Sequence, residues 1–258
     1  MTTLIAELAS SHGGDVGLAA RMIREAAACG ATHAKVQAYQ TKFLSPNDPQ
    51  YNWLKQAELS DSDLARLAGI CHDEGIHFLA TVFDEERVPL IRELSAEVKI
   101  GSGESGDLAL LFAVRDANFG RVYVGTGLGN WWYVDKTESI PMFGVAAYPA
   151  DDTQAMLAAT LGKGLMEKGA RWGYSDHTCG LDAAEFALAI GASALEVHVA
   201  LAGAPKRLAC DKSPTQLALV AEWCREGADL PAELDRTIEK ARQKFLGRWA
   251  YRAQEHVG

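Results

Sequence analysis

Short apolar runs recur along the chain, and most are followed by a stretch with the apolar spacing of an amphipathic helix. The runs fall at Leu4–Ala9, His33–Tyr39, Ile76–Phe83, Glu97–Gly101, Arg121–Thr126, Pro141–Ala147, Arg171–Tyr174 and Ala194–Val199. Helical spacing occupies Val16–Cys29, Asp61–Glu74, Asp84–Leu94, Thr153–Lys168 and Asp182–Ile190, and Ser213–Glu226 reads as a helix after the eighth run. Repeated strand–helix units predict parallel strands with right-handed crossovers, and eight of them close an α/β fold of the (β/α)8 TIM-barrel type. The competing open doubly wound sheet is marked by G-x-G-x-x-G after the first strand. The chain has Ser11-His12-Gly13-Gly14-Asp15 there instead.

One unit is irregular. Between Thr126 and Pro141 the connection is too short and too aromatic for an ordinary crossover helix, which predicts a shortened fifth βα unit. Its Trp131-Trp132-Tyr133 run is open to three readings: lid, interface anchor or packing. Pro231–Arg248 reads as an extra C-terminal helix. The length of 258 residues is near that of one complete barrel, and no Ser/Gly/Pro-rich linker interrupts it. Residues 1–258 therefore read as a single catalytic barrel domain, with its site at the C-terminal ends of the strands.

Strand periodicity exposes polar residues where a core is expected to be apolar, since residues two apart share a face. Lys35, Gln37 and Tyr39 share one face of the second strand, opposite Ala34, Val36 and Ala38. Glu196 and His198 share a face of the last strand, opposite Leu195, Val197 and Val199. Glu7 and Lys99 stand between apolar neighbours on the first and fourth strands. Each has an ordinary explanation when taken alone: a lysine near a strand end snorkels outward, and a strand histidine is commonly a hydrogen-bonded core residue. A Glu-x-His pair beside Tyr174-Ser175-Asp176-His177 is harder to dismiss. Neighbouring strands seven and eight can turn His177 and His198 to one cavity, where two imidazoles and a carboxylate suit Mn²⁺, Fe²⁺, Co²⁺ or Zn²⁺. Gly101-Ser102-Gly103-Glu104 and Gly125-Thr126-Gly127 place small residues after strands, for cradling a phosphate or for steric reasons alone.

Composition narrows the partners. With 25 basic against 34 acidic residues the net charge is -9, which argues against a nucleic-acid or anionic-membrane surface. No window approaches the length of a spanning helix, and the first residues lack the basic and apolar regions of a signal peptide. Cys29, Cys71, Cys179, Cys210 and Cys224 are scattered without a C-x-x-C pair, as in a reduced cytoplasmic protein.

Several ordered motifs resemble the barrel domain of the sialic acid synthase (N-acetylneuraminate synthase) family. They are I-A-E at Glu7, S-H-G-G at His12, A-K-V-Q at Lys35–Gln37, G-I-H-F-L-A-T-V-F-D through Thr81–Asp84, and K-I-G-S-G-E at Lys99–Glu104. T-G at Thr126, Y-P at Tyr148, G-Y-S-D-H-T-C-G at Gly173–Gly180 and E-V-H at Glu196–His198 follow in order. The resemblance implies a phosphoenolpyruvate-dependent aldol condensation with an aldehyde sugar, in which a divalent metal polarises the carbonyl. It implies Mn²⁺ first among the metals, with Mg²⁺, Co²⁺ or Zn²⁺ as alternatives, and a homodimer. By position it assigns catalytic roles to Glu104, Lys99 and Glu196, and metal ligation to His177 and His198. Lys35, Gln37, Thr81, Ser102, Thr126, Tyr148, Ser175 and Lys206 fall on the substrate-binding side.

Departures from the family pattern fall mostly on the sugar half. On the phosphate side the family's S-T-G-M reads Gly125-Thr126-Gly127-Leu128, which removes one hydroxyl. A polar residue two before the tyrosine is Ala146, and P-G-P-D is replaced by Gly203-Ala204-Pro205-Lys206. The sequence ends near Gly258, where the family continues into a small antifreeze-like domain. The expected acceptor is therefore an aldehyde or aldehyde sugar other than plain N-acetylmannosamine. A metal-dependent lyase or aldolase on a related keto acid, and a non-catalytic barrel subunit, are the alternatives.

Overall fold

The computed structural model describes residues 2–127, 139–166 and 170–228. Eight strands close into one barrel in sequence order: β1 (Thr3–Glu7), β2 (His33–Ala38), β3 (His77–Val82), β4 (Glu97–Ile100), β5 (Arg121–Gly125), β6 (Ser139–Phe143), β7 (Gly173–Asp176) and β8 (Ala194–His198). Every neighbouring pair is parallel, and β8 returns to β1 with His198 opposite Glu7. Around the strands run α1 (Val16–Ala28), α2 (Tyr51–Ala57), α3 (Asp61–Asp73), α4 (Val88–Leu94), α5 (Leu108–Asp116), α6 (Asp152–Leu165), α7 (Asp182–Ala189) and α8 (Pro214–Glu226). The barrel expected from periodicity is the fold observed. The shortened fifth connection, with Trp131–Tyr133, and the C-terminal helix at Pro231–Arg248 lie outside the described residues.

Local chemistry sets the helix starts. Asp15, Asp107 and Asp151 accept backbone N–H groups of the first turns of α1, α5 and α6. Ser60 and Ser213 form capping boxes with Asp63 and Gln216. Pro89 lies in the first turn of α4, and the expected single helix from Asp84 is a 3-10 turn at Glu85–Arg87 running into it.

Two expected strands are displaced. The sixth begins at Ser139 and ends at Phe143, so Gly144–Ala147 belongs to the connection above the barrel. The seventh covers Gly173–Asp176 rather than ending at Tyr174, because its polar Ser175 and Asp176 are buried ladder residues, not the start of a loop. Helices α2 and α5 were not anticipated from the spacing.

The strands separate two cores. Outward-facing Leu4, Ala6, Ala34, Val36, Val98, Val124, Leu195 and Val197 pack beneath the helices in one continuous apolar layer. Inside the barrel, Ile5, Leu79, Tyr123, Ile140, Met142 and Ala194 form a compact plug. Below the plug Glu97 meets His33 at 3.0 Å and accepts from Arg121 at 2.9 Å and the Tyr123 hydroxyl at 3.0 Å. Above it the inward positions turn polar. Alternation thus raises Glu7, Lys35, Thr81, Lys99, Ser175 and Glu196 to one level at the strands' C-terminal ends.

Candidate active site

The polar layer floors a cavity of about 260 Å³ that opens at the C-terminal face of the barrel. Of the site residues expected from the sequence, Lys35, Gln37, Thr81, Lys99, Ser102, Glu104, Tyr148, Ser175, Glu196, His177 and His198 all line it.

Four charged side chains interlock at the floor. Lys35 Nζ pairs with Glu7, lies 3.1 Å from Glu196 Oε2, and donates to Thr81 Oγ1 at 2.9 Å. Lys99 Nζ donates to Glu196 Oε1 at 2.6 Å and to Ser175 Oγ at 3.3 Å. Glu7 is anchored in turn by the Ala9 N–H, which donates to its Oε1 at 2.6 Å. All four are nearly sealed from solvent. Burial opposes the charge of Glu196, but Lys35 and then Lys99 overcome it and hold the carboxyl far below its usual range. For Lys35 burial dominates, and despite the pull of Glu196 its ammonium is drawn down to about 7. Buried cations at this level are costly without anions nearby, so the layer is stable only as a set.

The opposite wall is aromatic and basic. His177 Nδ1 donates its proton to the Val145 carbonyl at 2.6 Å, which leaves Nε2 as the free acceptor of a neutral ring. His198 lies beside it, with ring centroids 5.3 Å apart, and its buried Nδ1 has no hydrogen-bond partner among the described residues. Burial lowers the pKa of both rings, which favours the neutral form that ligates metals. Tyr148 leans on both, 4.2 Å from the His177 ring and 5.4 Å from that of His198. Two acceptor imidazoles beside a carboxylate fit a borderline divalent metal.

His177 is carried by a rigid turn. Asp176 Oδ1 accepts the Thr178 N–H at 3.0 Å and its hydroxyl at 2.8 Å, while Lys212 lies 3.0 Å from Asp176 Oδ2. Lys212 also donates to the Thr178 and Gly180 carbonyls at 2.6 Å each, and neither member of the ion pair is exposed. Nothing in the sequence pattern marks Lys212, which stands in a connection just before a helix cap. Glu7 was visible as a lone acid in an apolar strand, yet it entered no proposed role. It belongs to the charged floor.

Two expected site residues are elsewhere. Thr126 is turned away from the cavity, and its N–H and hydroxyl both donate to the Met142 carbonyl, at 3.0 and 3.2 Å. Lys206 donates to Gln50 Oε1 at 2.8 Å and lies over the Trp53 ring at 5.2 Å, on the surface outside the cavity lining. Gly125, where a hydroxyl was judged missing, has no room for one. A Cβ there would stand 2.6 Å from Ser102 Oγ and 2.7 Å from its backbone nitrogen. The Ser102 loop occupies that space, and Ser102 Oγ accepts the Gly127 N–H at 3.1 Å.

Comparison with known proteins finds several similar chains. Mouse N-acetylneuraminate-9-phosphate synthase is 29% identical over 77% of this chain, which spans 62% of the mouse protein. The N,N'-diacetyllegionaminic acid synthase of Campylobacter jejuni is 30% identical over 78% of this chain and 68% of its own length. The chain thus spans about two thirds of the length of these curated relatives. The crystal structure of N-acetylneuraminic acid synthetase from Leptospira borgpetersenii, in complex with citrate, superposes with a TM-score of 0.79 at 26% identity. That superposition covers 93% of this chain and 90% of the other. The NeuB family profile matches residues 22–213, from α1 through the cap of α8, and so takes in every cavity residue except Glu7. By sequence and by fold, the chain belongs to the NeuB family.

Proposed function

We propose that the cavity condenses phosphoenolpyruvate with an aldehyde or aldehyde-sugar acceptor to give a 2-keto-3-deoxy acid and phosphate. The observation that carries this reading is the pair of buried lysines on one side of Glu196, facing two acceptor histidines on the other. A strongly anionic ligand needs desolvated cations with hydroxyl donors, and Lys35, Lys99, Thr81, Ser102 and Ser175 supply them within one cavity. Gln37, Tyr148 and Glu196 face the remaining space, where the acceptor lies.

In the overall reaction the methylene carbon of phosphoenolpyruvate forms a bond to the aldehyde carbon, and the aldehyde oxygen gains a proton. Water adds at the former enol carbon, and the bond from that carbon to the phosphate oxygen breaks. His177 and His198 would hold a divalent metal, whose chemistry is to polarise the aldehyde oxygen. Glu104, which lines the cavity and whose pKa burial raises, would manage the proton of the attacking water. Holding both reactants in one enclosed cavity supplies the orientation that the carbon–carbon bond requires.

The acceptor differs from plain N-acetylmannosamine in this reading, because Ala146 brings an apolar surface to the acceptor side of the cavity. The named relatives are synthases of different products, N-acetylneuraminate-9-phosphate and N,N'-diacetyllegionaminic acid, which supports an acceptor that varies among similar sequences. The test is phosphate release from phosphoenolpyruvate against a panel of aldoses and N-acetylated aldoses. Release that depends on both an acceptor and Glu196 supports the reading. Release without any acceptor, or efficient use of N-acetylmannosamine, counts against the corresponding part of it.

A further inference from the structure

Behind His198 lies a second set of donors. The segment after β8 folds back on the strand: the Lys212 N–H donates to the His198 carbonyl at 2.7 Å, and Lys212 forms a parallel bridge with Val199. This return places Cys210 and Asp211 against His198. One donor atom from each of the three residues lies within 4.8 Å of the others, and all three side chains are buried. Cys210 is a free thiol with no exposed surface.

Two of these groups are unsatisfied. His198 is 5% exposed and Asp211 8% exposed, and neither His198 Nδ1 nor Asp211 Oδ1 has a hydrogen-bond partner among the described residues. The other Asp211 oxygen is fixed by the Leu208 N–H at 2.6 Å, so the carboxylate is oriented while Oδ1 stays free. An orphaned buried imidazole nitrogen and carboxylate oxygen cost free energy unless something meets them.

The geometry points to a thiolate-containing metal site formed by His198, Cys210 and Asp211. It rests on the reading of His198 as a metal ligand in the proposed function, and sets Cys210 and Asp211, in place of His177, as the other protein ligands. The donors lie within 4.8 Å of one another, against roughly 3.5 Å between ligands on a tetrahedral ion bound at about 2.0–2.3 Å, so at most modest side-chain rotations are needed. Three protein donors leave one position of a tetrahedral ion open, and His198, one of the three, lines the cavity. On binding, the Cys210 thiol gives up its proton to solvent and its sulfur donates to the ion. A sulfur, nitrogen and oxygen set favours Zn²⁺, Fe²⁺ or Co²⁺ over Mg²⁺.

The experiment is cobalt titration of the full chain, read by absorption and by bound metal, for wild type and single variants. The expected result is stoichiometric Co²⁺ with a near-ultraviolet thiolate-to-cobalt band. Cys210→Ser loses the band, Asp211→Asn weakens binding several-fold, and excess Mg²⁺ displaces nothing. Cys179→Ser keeps the band, which excludes the exposed thiol near His177. Thermal melts of each variant separate lost metal from lost fold, and Asp211→Asn serves if Cys210→Ser does not fold. Stoichiometric cobalt with no thiolate band, lost on His177→Ala, overturns the thiolate site and leaves the histidine-pair reading standing. No cobalt binding at all overturns both.

Discussion

Lys99 on β4 donates to Glu196 on β8 at 2.6 Å across the barrel interior, while Lys35 on β2 holds the other carboxylate oxygen at 3.1 Å. These strands are far apart in sequence, and only closure of the sheet brings the three charges together. The carboxylate is what lets two ammonium groups share a desolvated floor, and in the proposed function the same contact readies both lysines for an anionic ligand.

Glu196→Ala leaves both lysines facing each other without their shared counter-ion. Removing one partner of a buried ion pair costs about 3–5 kcal/mol. Urea denaturation should show a loss of this order, with an unchanged slope against denaturant. A variant as stable as wild type would show that the floor is already hydrated.

The Lys35 ammonium, drawn down to about 7 by burial, makes anion binding depend on pH. A bound anion favours the protonated lysine, so affinity is greatest below about pH 7 and falls as the lysine deprotonates above it. The limiting slope is about tenfold per pH unit. Calorimetric titration with phosphoenolpyruvate from about pH 7 to about pH 9 reads this decline. Lys35→Arg, cationic throughout the range, should flatten it.

Gly125→Ser appears from sequence alone to restore a missing hydroxyl. The structure requires the opposite outcome, since the added Cβ meets the backbone nitrogen of Ser102 at 2.7 Å. Overpacking of this kind costs about 1–3 kcal/mol, and displacement of Ser102 should weaken phosphoenolpyruvate binding. Tighter binding in this variant would show that the loop yields freely.

How far the sequence carried the reading follows from which signals are periodic. The barrel was legible because apolar alternation recurs strand by strand, and the same alternation marked Lys35, Gln37, Lys99, Glu196 and His198 as inward positions. Ser175 and Asp176 were read as loop because buried polar residues look like solvent-facing ones until their partners are known. Thr126 and Lys206 fall outside the cavity lining for a related reason: their positions follow connections, where neither period nor facing is defined. Cys210, Asp211 and Lys212 lie in such a connection as well, and only its return along β8 gives them a role.

Lys206→Ala should leave phosphoenolpyruvate affinity unchanged and alter stability by no more than about 0.5 kcal/mol, because its partners are Gln50 and the Trp53 ring at the surface. Lys212→Ala, by contrast, strands Asp176 in a sealed site and should cost about 3–5 kcal/mol. Parallel melts of the two variants check both statements.

The most direct test of the proposed function is a thermal-shift titration with phosphoenolpyruvate, with and without Co²⁺, on wild type, Lys35→Ala and His198→Ala. A ligand that binds only the native state raises Tm by an amount that grows with the logarithm of its concentration above Kd. Phosphoenolpyruvate should raise Tm in the wild type, and Co²⁺ should enlarge the rise. His198→Ala should lose only the enlargement, and Lys35→Ala should lose most of the rise itself. Absence of any shift in the wild type would contradict the assignment of the cavity to phosphoenolpyruvate.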